Sequence, residues 1–581
     1  MTHHDIYASI SLSDYFEVML NGLPLDLSLA GYLSVIPGLL LIVFQWVNSA
    51  ILRRIERAYY AFVAIISALI FCLDLGLYAY WGTRLDVTPL FYFTSSPSAA
   101  MASISTLAAI GWIVTIIIIS IIIYMLFCRI LLRITPHRRH PITTSLGTLF
   151  LTGLLFIPIR GGFTVATMNL SAVYYSTDQR LNHAAINPMF SLMYSATHQS
   201  DFSSQFQYFE SAEADIIFSS LTDQPPTDSI PRLFTSSRPD IYLIILESFS
   251  SHLMSTLNGQ CPIAKNLDNI ASESILFTNF FANGYRTDRA LPAILSAYPS
   301  QPTTSIMKYV SKTDNLPSFP GALKDAGYDI SYYYGGDANF TNMNAFLVSS
   351  GFDHIVSDKD FPISDRLSKW GAHDHIVFNR CLDDIHSYSG DKPTLRVIQT
   401  SSSHEPFDVP FQIDGINNKR ANAFAYTDQC IGDFVNSLKT SNKWNNSLLI
   451  IVPDHYGAYP KGLNDPVKRH QIPLILAGGV ISEPKRIDTI ASQIDIAATI
   501  LYQLGLPHNQ FKFSKNILHP ASPHFAFFVD NAQFAMVTED NEIAYNCDAD
   551  KIVLNRGSAL NANLDKAKAF VQKLYEDFDK R

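Results

Sequence analysis

The feature that most constrains how this chain can fold is a series of long apolar runs confined to residues 1–160. We identify four candidate membrane spans, at Leu29–Ala50, Tyr59–Trp81, Leu107–Leu132 and Thr143–Ile159. The first three are long enough to cross a hydrocarbon layer about 30 Å thick, whereas the last is short. Four such runs in close succession favour membrane helices over buried core helices, and a further span could lie within residues 5–22. The sequence therefore predicts an α-helical transmembrane domain over residues 1–160.

The arginines of the short loops predict the orientation of these spans. The loop Gly82–Thr106 carries only Arg84, whereas both neighbouring loops are rich in arginine, with Arg53, Arg54 and Arg57 in one and Arg129, Arg133, Arg138 and Arg139 in the other. Arginine-rich loops remain in the cytoplasm. We therefore expect a multi-pass protein of the cell membrane in which everything after the fourth span is extracytoplasmic.

A second type of pattern begins after residue 238, where short apolar runs alternate with helical segments. The strand candidates are Ile241–Leu246, Asp329–Tyr334, Leu395–Thr400, Ser447–Val452 and Ile472–Leu476. The helical candidates are Ser318–Ala326, Asn339–Ser349, Ala421–Lys439 and Thr489–Leu504. Such alternation predicts an α/β domain with a mostly parallel central sheet, here over residues 239–520.

The remaining segments complete the predicted domain organisation. Residues 161–238 lack a clear period and end in a tract rich in Pro, Ser and Thr, which indicates a juxtamembrane connector. Residues 521–581 contain the short runs FAFFVD, FAMVTED and EIAYNCD, followed by a helical segment at Leu560–Phe578. This pattern predicts a small C-terminal antiparallel sheet and a terminal helix.

Polar residues follow four of the predicted strands directly. They are Glu247, the triplet Gly335-Gly336-Asp337, the segment Ser401–His404, and the pair Asp454-His455. Ligands of parallel sheets bind just beyond the carboxyl ends of the strands, so these residues predict a single site. Carboxylates with an imidazole suit Mn²⁺, Mg²⁺ or Zn²⁺. An isolated Asp-His pair is more often a turn, but together with Glu247 the ligand interpretation is the better one.

Thr287 is a candidate nucleophile for such a metal site. It lies in the segment NGYRTDRALPAILSAYP, where polar residues precede a helical pattern, and helix N-termini attract anions such as phosphate. A metal-bound threonine hydroxyl can ionise and attack phosphorus. The alternative is that Thr287 merely caps the helix, which does not exclude the nucleophilic role.

Two histidines are further candidates. His404 could hydrogen-bond a phosphate oxygen or protonate a leaving group, and the alternative is a plain surface turn. His470, which precedes a predicted strand, is a weaker candidate.

Composition excludes some other classes of function. The net charge of −9 and the lack of a basic stripe argue against a nucleic-acid partner. Four cysteines lie outside the apolar runs without any CxxC spacing, so they do not predict a zinc site, and they could be either disulfides or single thiols: Cys261, Cys381, Cys430 and Cys547.

Four ordered motifs, IILESFSS, NGYRTDRALPAILSAYPS, SSSHEPF and VPDHYG, resemble those of the lipoteichoic acid synthase family in the alkaline phosphatase/sulfatase superfamily. The resemblance implies membrane spans followed by an extracytoplasmic sulfatase-like domain. It also implies one divalent cation, Mn²⁺ in the first place, with Glu247, Thr287, Asp454 and His455 as ligands and Thr287 as nucleophile. His404 matches a substrate-pocket histidine, and Asp337 and Arg289 are additional substrate-binding candidates.

The implied activity is head-group transfer from a phospholipid donor, through a threonine-linked intermediate, to an acceptor hydroxyl on a glycan or glycolipid. The family's phosphoglycerol pocket uses a Trp and an Arg, and this chain has Thr341 and Met343 at those places. Phosphoethanolamine transfer is therefore an alternative to phosphoglycerol transfer. A sulfatase-like phosphodiesterase or sulfuric ester hydrolase, and a non-catalytic sensor of the same fold, are the remaining alternatives. No CxPxR-like motif lies near Thr287, which disfavours sulfate ester hydrolysis.

Overall fold

The chain forms two compact units, Met1–Ser200 and Asp201–Arg581. The computed structural model describes residues 10–47, 50–81, 84–85, 106–130, 140–163, 165–176, 178–197, 202, 204–225, 227, 229–457, 459–530 and 532–581. The residues predicted as a connector, 161–238, are divided between the two units and include three α-helices, Gln179–Ala185, Pro188–Thr197 and Ser211–Thr222.

In its described residues, the regular secondary structure of the first unit is helical. Its other helices are Leu12–Trp46, Ala50–Trp81, Thr106–Ile130, Pro141–Leu154 and Phe156–Arg160. Within the described ranges, four helical stretches are long and apolar enough to cross a membrane: Leu12–Trp46, Ala50–Tyr78, Ile110–Ile130 and Pro141–Arg160. The expected four spans are thereby confirmed by length and composition, and the chain is a membrane protein.

The first span begins earlier than the apolar run suggested. The helix begins at Leu12, where the Ser11 hydroxyl accepts the Asp14 amide at 3.3 Å and the Asp14 carboxylate accepts the Ser11 amide at 2.7 Å. The described part of residues 5–22 therefore continues into the first helix and is not a separate span. Residues 131–139, with three of the orienting arginines, and residues 86–105 lie outside the described ranges.

The second unit is built on a nine-stranded sheet. Its strands are β1 (Asp240–Leu246), β2 (Ile275–Phe281), β3 (Asp329–Tyr334), β4 (His354–Val356), β5 (Thr394–Gln399), β6 (Ser447–Pro453), β7 (Gln471–Ala477), β8 (Lys485–Ile487) and β9 (Ala491–Ser492). The order is β4-β3-β5-β1-β6-β7-β2-β8, with β9 beside β2. Strands β4, β3, β5, β1 and β6 run parallel, whereas β7 is antiparallel to both of its neighbours.

Strand β1 lies at the centre of this sheet because both of its faces are apolar. Residues 241–246 are each at most 1% exposed. Ile241, Leu243 and Ile245 pack into one apolar cluster, while Tyr242, Ile244 and Leu246 pack into another on the opposite face. The continuous apolar run therefore corresponds to a strand buried on both sides, as predicted.

Helices cover the sheet as the alternating pattern predicted. They are Lys265–Ser272, Thr287–Ser296, Val310–Thr313, Phe319–Asp325, Met343–Ser349, Asp374–Ser387, Lys419–Thr440, Pro466–His470 and Ile496–Leu504. The predicted helix Thr489–Leu504 starts too early, because β9 pairs with Phe280 and Phe281 of β2 and holds residues 491–492 extended. Four strands of this sheet, β2, β4, β8 and β9, were not predicted.

A second sheet follows near the C-terminus. It is antiparallel, in the order β10 (Ala526–Asp530), β11 (Gln533–Val537), β12 (Glu542–Asn546) and β13 (Lys551–Arg556), and precedes the helix Leu564–Lys580. The fold class expected from the sequence is confirmed, with β13 as an additional strand. All six cysteines lie in the described part of the chain and are free thiols.

Candidate active site

Four neighbouring strand ends form the candidate site. Strands β3, β5, β1 and β6 are adjacent and parallel, so the residues that follow them lie at one edge of the sheet. Those residues include Asp337, His404, Glu247 and Asp454. The predicted convergence of the four strand ends is confirmed, and it places the candidate residues in the crevice where such sheets bind ligands.

Glu247, Asp454 and His455 form a group that could hold a metal ion, since one ligand atom of each lies within 4.8 Å of the others. His455 Nε2 is 3.3 Å from Asp454 Oδ2 and 3.7 Å from Glu247 Oε1. The two carboxylates are buried, with residue exposures of 4% for Glu247 and 0% for Asp454. Two buried acids and an imidazole are suitable ligands for a borderline or hard divalent cation.

The electrostatics of the two acids indicate that a cation belongs between them. Asp454 Oδ2 is buried and has no hydrogen-bond partner among the described residues. Burial, and then the neighbouring Glu247 carboxylate, raises the pKa of Asp454 well above its usual range. Burial would also raise the pKa of Glu247, but His455 and His404 hold it below the ordinary value. A divalent cation would offset both the burial and the mutual repulsion of the acids, so the residues present fit a metal.

Ser248 holds the two acidic side chains in place. Its amide donates to Asp454 Oδ1 at 2.7 Å and its hydroxyl donates to Glu247 Oε1 at 2.7 Å. To do so it adopts a left-handed backbone with φ of 65°, a conformation that costs a non-glycine residue about 1–2 kcal/mol. A Cβ at Gly457 would lie 2.3 Å from Ser248 Cβ, so only glycine fits there. Sequence reasoning missed this role, for which adjacency to Glu247 was the only signal.

Thr287 contacts Glu247 from the helix that follows β2. It is the first residue of the helix Thr287–Ser296, and Arg286, with an extended backbone, occupies the N-cap position. Thr287 Oγ1 donates to Glu247 Oε2 at 3.2 Å. The threonine hydroxyl is thus directed at the acidic group, at a helix N-terminus where anions are favoured.

Gln493 links the segment before Thr287 to the end of β6. Its Nε2 donates at 2.7 Å to each of the carbonyl oxygens of Pro453 and Asp454. Its Oε1 accepts the amide of Asn283 at 2.8 Å. Gln493 is fully buried, so these three bonds are shielded from water and fix the position of the segment before Thr287 relative to the end of β6. Gln493 lies far in sequence from both Asn283 and Asp454, and no sequence signal identified it.

The loop that carries His404 is held by a buried carboxylate, Asp374. Asp374 Oδ1 accepts the amides of Ser401 at 2.8 Å and Ser402 at 3.1 Å. The hydroxyl of Ser403 donates to the Glu247 carbonyl oxygen at 2.6 Å, which joins this loop to the end of β1. The ring of Trp370 packs on His404, with centroids 4.3 Å apart. Asp374 and Trp370 were not identified from the sequence.

The other predicted site residues have partners outside the acidic group, by which we mean Glu247, Asp454 and His455. Asp337 accepts the Asn339 amide at 2.9 Å in a local turn. Arg289 is only 8% exposed, and its guanidinium donates to the Thr304 carbonyl and to Tyr285 Oη. His470 stacks on Phe528 at 4.0 Å. Asp337 follows β3 at the site edge, whereas the described contacts of Arg289 and His470 do not bring them to the acidic group.

The two positions that depart from the resembled family differ in their surroundings. Met343 is 3% exposed and packs in the main apolar cluster. Thr341 is exposed and has a positive φ of 53°. Neither supplies a positive charge.

Parts of the chain are similar to known proteins in sequence and in fold. The sulfatase family model matches residues 239–506. "Lipoteichoic acid synthase 2" of Bacillus subtilis (strain 168) is 25% identical over 306 residues, 47% of this chain and 46% of that protein. "Phosphoglycerol transferase I" of Xanthomonas axonopodis pv. citri (strain 306) is 29% identical over 221 residues, 35% of this chain and 31% of that protein.

Among solved structures, a protein in the alkaline phosphatase superfamily from Vibrio parahaemolyticus matches with a TM-score of 0.56 at 25% identity. The match covers 65% of this chain and 98% of that one. The chain spans less than half the length of the two curated relatives, 46% and 31%. Together these similarities confirm the resemblance that the four motifs predicted.

Proposed function

On the premise that the chain is lipoteichoic acid synthase-like, with a sulfatase-family domain at residues 239–506, we propose that it is a membrane-anchored, metal-dependent phosphotransferase. It moves a phospholipid head group to a hydroxyl of an extracytoplasmic glycan or glycolipid. The observation that carries this proposal is the hydrogen bond from Thr287 Oγ1 to Glu247, a member of the buried group that could hold a metal.

Thr287 forms the covalent intermediate. Its Oγ1 attacks the phosphorus of the donor, the bond from phosphorus to the diacylglycerol oxygen breaks, and diacylglycerol leaves as the free alcohol. The Thr287 proton already lies toward Glu247 Oε2. His404, close enough to lower the Glu247 pKa, supplies a proton to the leaving oxygen. The acceptor hydroxyl then attacks the same phosphorus and gives its proton to His404, the bond from phosphorus to Thr287 Oγ1 breaks, and Thr287 takes its proton back from Glu247 Oε2.

The metal ligands are Glu247, Asp454, His455 and the hydroxyl of Thr287. When bound, a divalent cation would lower the pKa of that hydroxyl and stabilise negative charge that develops on the phosphoryl oxygens. Oxygen and imidazole ligands favour Mn²⁺, with Mg²⁺ or Zn²⁺ as alternatives. Ser248 keeps the two carboxylates oriented toward this position.

Two phospholipids are candidate donors of the head group. The names of the relatives, a lipoteichoic acid synthase and a phosphoglycerol transferase, favour phosphatidylglycerol. The buried Met343 and the uncharged Thr341 favour phosphatidylethanolamine, because a cationic clamp on an anionic head group is lacking at these two positions.

The catalytic domain is proposed to lie outside the cytoplasm. The support is the cluster Arg53, Arg54 and Arg57 at the start of the second membrane helix, which retains that end of the helix in the cytoplasm. From there the chain crosses the membrane three times, at Ala50–Tyr78, Ile110–Ile130 and Pro141–Arg160, before the second unit begins.

The test uses the full chain reconstituted in vesicles with either lipid as donor. We expect Mn²⁺-dependent release of diacylglycerol from one of the two lipids, measured with and without an added glycolipid acceptor. Repeated turnover without acceptor, beyond one diacylglycerol per protein, would indicate a phosphodiesterase. Cleavage of an aryl sulfate with no diacylglycerol release would indicate a sulfuric ester hydrolase, and no turnover of any ester would favour a sensor.

A further inference from the structure

One loop connects an exposed apolar surface to the candidate active site. The docking loop, as we call residues 359–370, begins and ends at the same place. On one side of it the Asp358 amide donates to the Gly336 carbonyl at 3.0 Å, and on the other the Ala372 amide donates to the Gly335 carbonyl at 2.9 Å. Both glycines directly follow β3, so the docking loop is anchored at the edge of the sheet where the site lies.

Internal contacts give the docking loop a defined shape. Phe361 is 4% exposed and packs into one of the two apolar clusters of the domain. The Arg366 guanidinium donates to the Phe361 carbonyl at 2.9 and 2.7 Å and to the Lys359 carbonyl at 3.0 Å. The buried Phe361 and the hydrogen bonds of Arg366 therefore fix the backbone of the docking loop, from which the exposed side chains project.

Two of those exposed side chains are large and apolar. Ile363 is 83% exposed and Leu367 is 71% exposed. Among the described residues of the second unit, exposed large hydrophobic side chains are few, and Ile363 is the most exposed of them. An exposed apolar pair on an ordered loop marks a surface that another apolar surface covers.

The docking loop is continuous with the catalytic residues. At its end, Trp370 packs on His404 with ring centroids 4.3 Å apart and donates from Nε1 to the Glu405 carbonyl at 2.6 Å. Phe340, itself 36% exposed, lies 5.6 Å from the Trp370 ring, centroid to centroid. Whatever covers the apolar pair therefore adjoins the place where the donor head group reacts.

The charges of the docking loop indicate that the partner of its exposed apolar side chains is a lipid surface. Exposed Lys359 and Lys369 lie at its two ends, on either side of the apolar pair. Its exposed acid, Asp360, accepts the Ser357 amide at 2.9 Å, and its second acid, the half-buried Asp365, accepts the Ser364 hydroxyl at 3.1 Å. Apolar side chains between lysines suit an interface of acyl chains and phosphates, and the four spans keep this chain at a bilayer.

We propose that the docking loop inserts Ile363 and Leu367 into the surface of a phospholipid bilayer, with Lys359 and Lys369 at the level of the lipid phosphates. This proposal rests on the proposed function, since it explains how a donor that stays in the bilayer reaches His404 and Thr287.

The test compares the full chain with the double variant I363S/L367S. The matched control is I216S/L560S, which removes two side chains of the same unit that are 74% and 60% exposed. Transfer is measured from a bilayer donor and from a dihexanoyl donor with the same head group, kept below its critical micelle concentration. We expect at least a tenfold loss with the bilayer donor for I363S/L367S, unchanged turnover of the short-chain donor, and no change in the control. An equal loss with both donors, or no loss, would overturn the proposal.

A second readout does not need turnover. Amide hydrogen exchange of residues 359–370 is followed in the full chain, in anionic phospholipid nanodiscs and in amphipol. Slower exchange in nanodiscs that is lost in I363S/L367S supports docking even if the wild-type chain releases no diacylglycerol, in which case the proposed function alone fails. Equal exchange in both media contradicts docking, as does protection that rises with protein concentration in amphipol, which would make a second copy of the chain the occupant.

Discussion

Replacing Thr287 with alanine is expected to abolish head-group transfer, with a loss of roughly 10⁴-fold or more, as for other enzymes that lose a covalent nucleophile. The substitution removes Oγ1, the atom that donates a hydrogen bond to Glu247. Because it deletes one hydrogen bond, the free energy of unfolding should change by only about 1 kcal/mol. Diacylglycerol release and the thermal unfolding midpoint of the purified full chain measure the two effects.

Two further variants control for indirect effects of this substitution. Thr287→Ser keeps a hydroxyl at the same place and should retain measurable transfer. Thr303→Ala removes an exposed threonine of the same domain, whose hydroxyl bonds to Tyr575, and should leave transfer unchanged. Substantial transfer by Thr287→Ala would exclude Thr287 as the nucleophile.

Asp454→Asn is expected to abolish the stabilisation of the protein by a divalent cation. Asn retains the oxygen that accepts the Ser248 and His455 amides, but it replaces Oδ2, which lies 3.3 Å from His455 Nε2, with a neutral amide group. The wild-type protein should gain about 2.7 kcal/mol of unfolding free energy at a metal concentration 100 times its Kd. The variant should gain almost none, and its transfer activity should be lost. Thermal unfolding after chelation, with and without added Mn²⁺, measures the difference.

Asp337→Asn is the matched control for this experiment. Asp337 is an acid at the same edge of the sheet, but its carboxylate accepts a local amide and it is not one of the three grouped residues. It should keep the full metal-dependent shift. A normal shift in Asp454→Asn, or the loss of the shift in Asp337→Asn, would show that the metal binds elsewhere.

The strand ends could be predicted because they depend on local pattern and one topological rule. A continuous apolar run such as Ile241–Leu246 identifies a buried strand, and parallel neighbours bring their carboxyl ends to one edge. Glu247 and Asp454 follow such runs directly, so their proximity followed from the sequence. The helix predicted to start at Thr489 starts later because a long-range contact overrides the local helical preference. Residues 491–492 pair with β2 and are extended.

The supporting residues could not be predicted because they act across large separations in sequence. Asp374 holds the His404 loop from 27 residues away, and Gln493 holds the Asn283 amide from 210 residues away. Strand β2 was missed since Thr278 and Asn279 interrupt its apolar pattern, at a place where its register with β7 shifts. Such contacts exist only after the chain has folded, and spacing alone carries no signal for them.

The most direct measurement is the mass of the peptide that contains Thr287, after the reconstituted chain is incubated with Mn²⁺ and the donor phospholipid and quenched in acid without acceptor. A covalent head-group phosphodiester on Thr287, absent from Thr287→Ala and from the chelated protein, is the predicted result, and its mass identifies the donor. Diacylglycerol release with no adduct, or an adduct on another residue, would contradict a threonine-linked transferase.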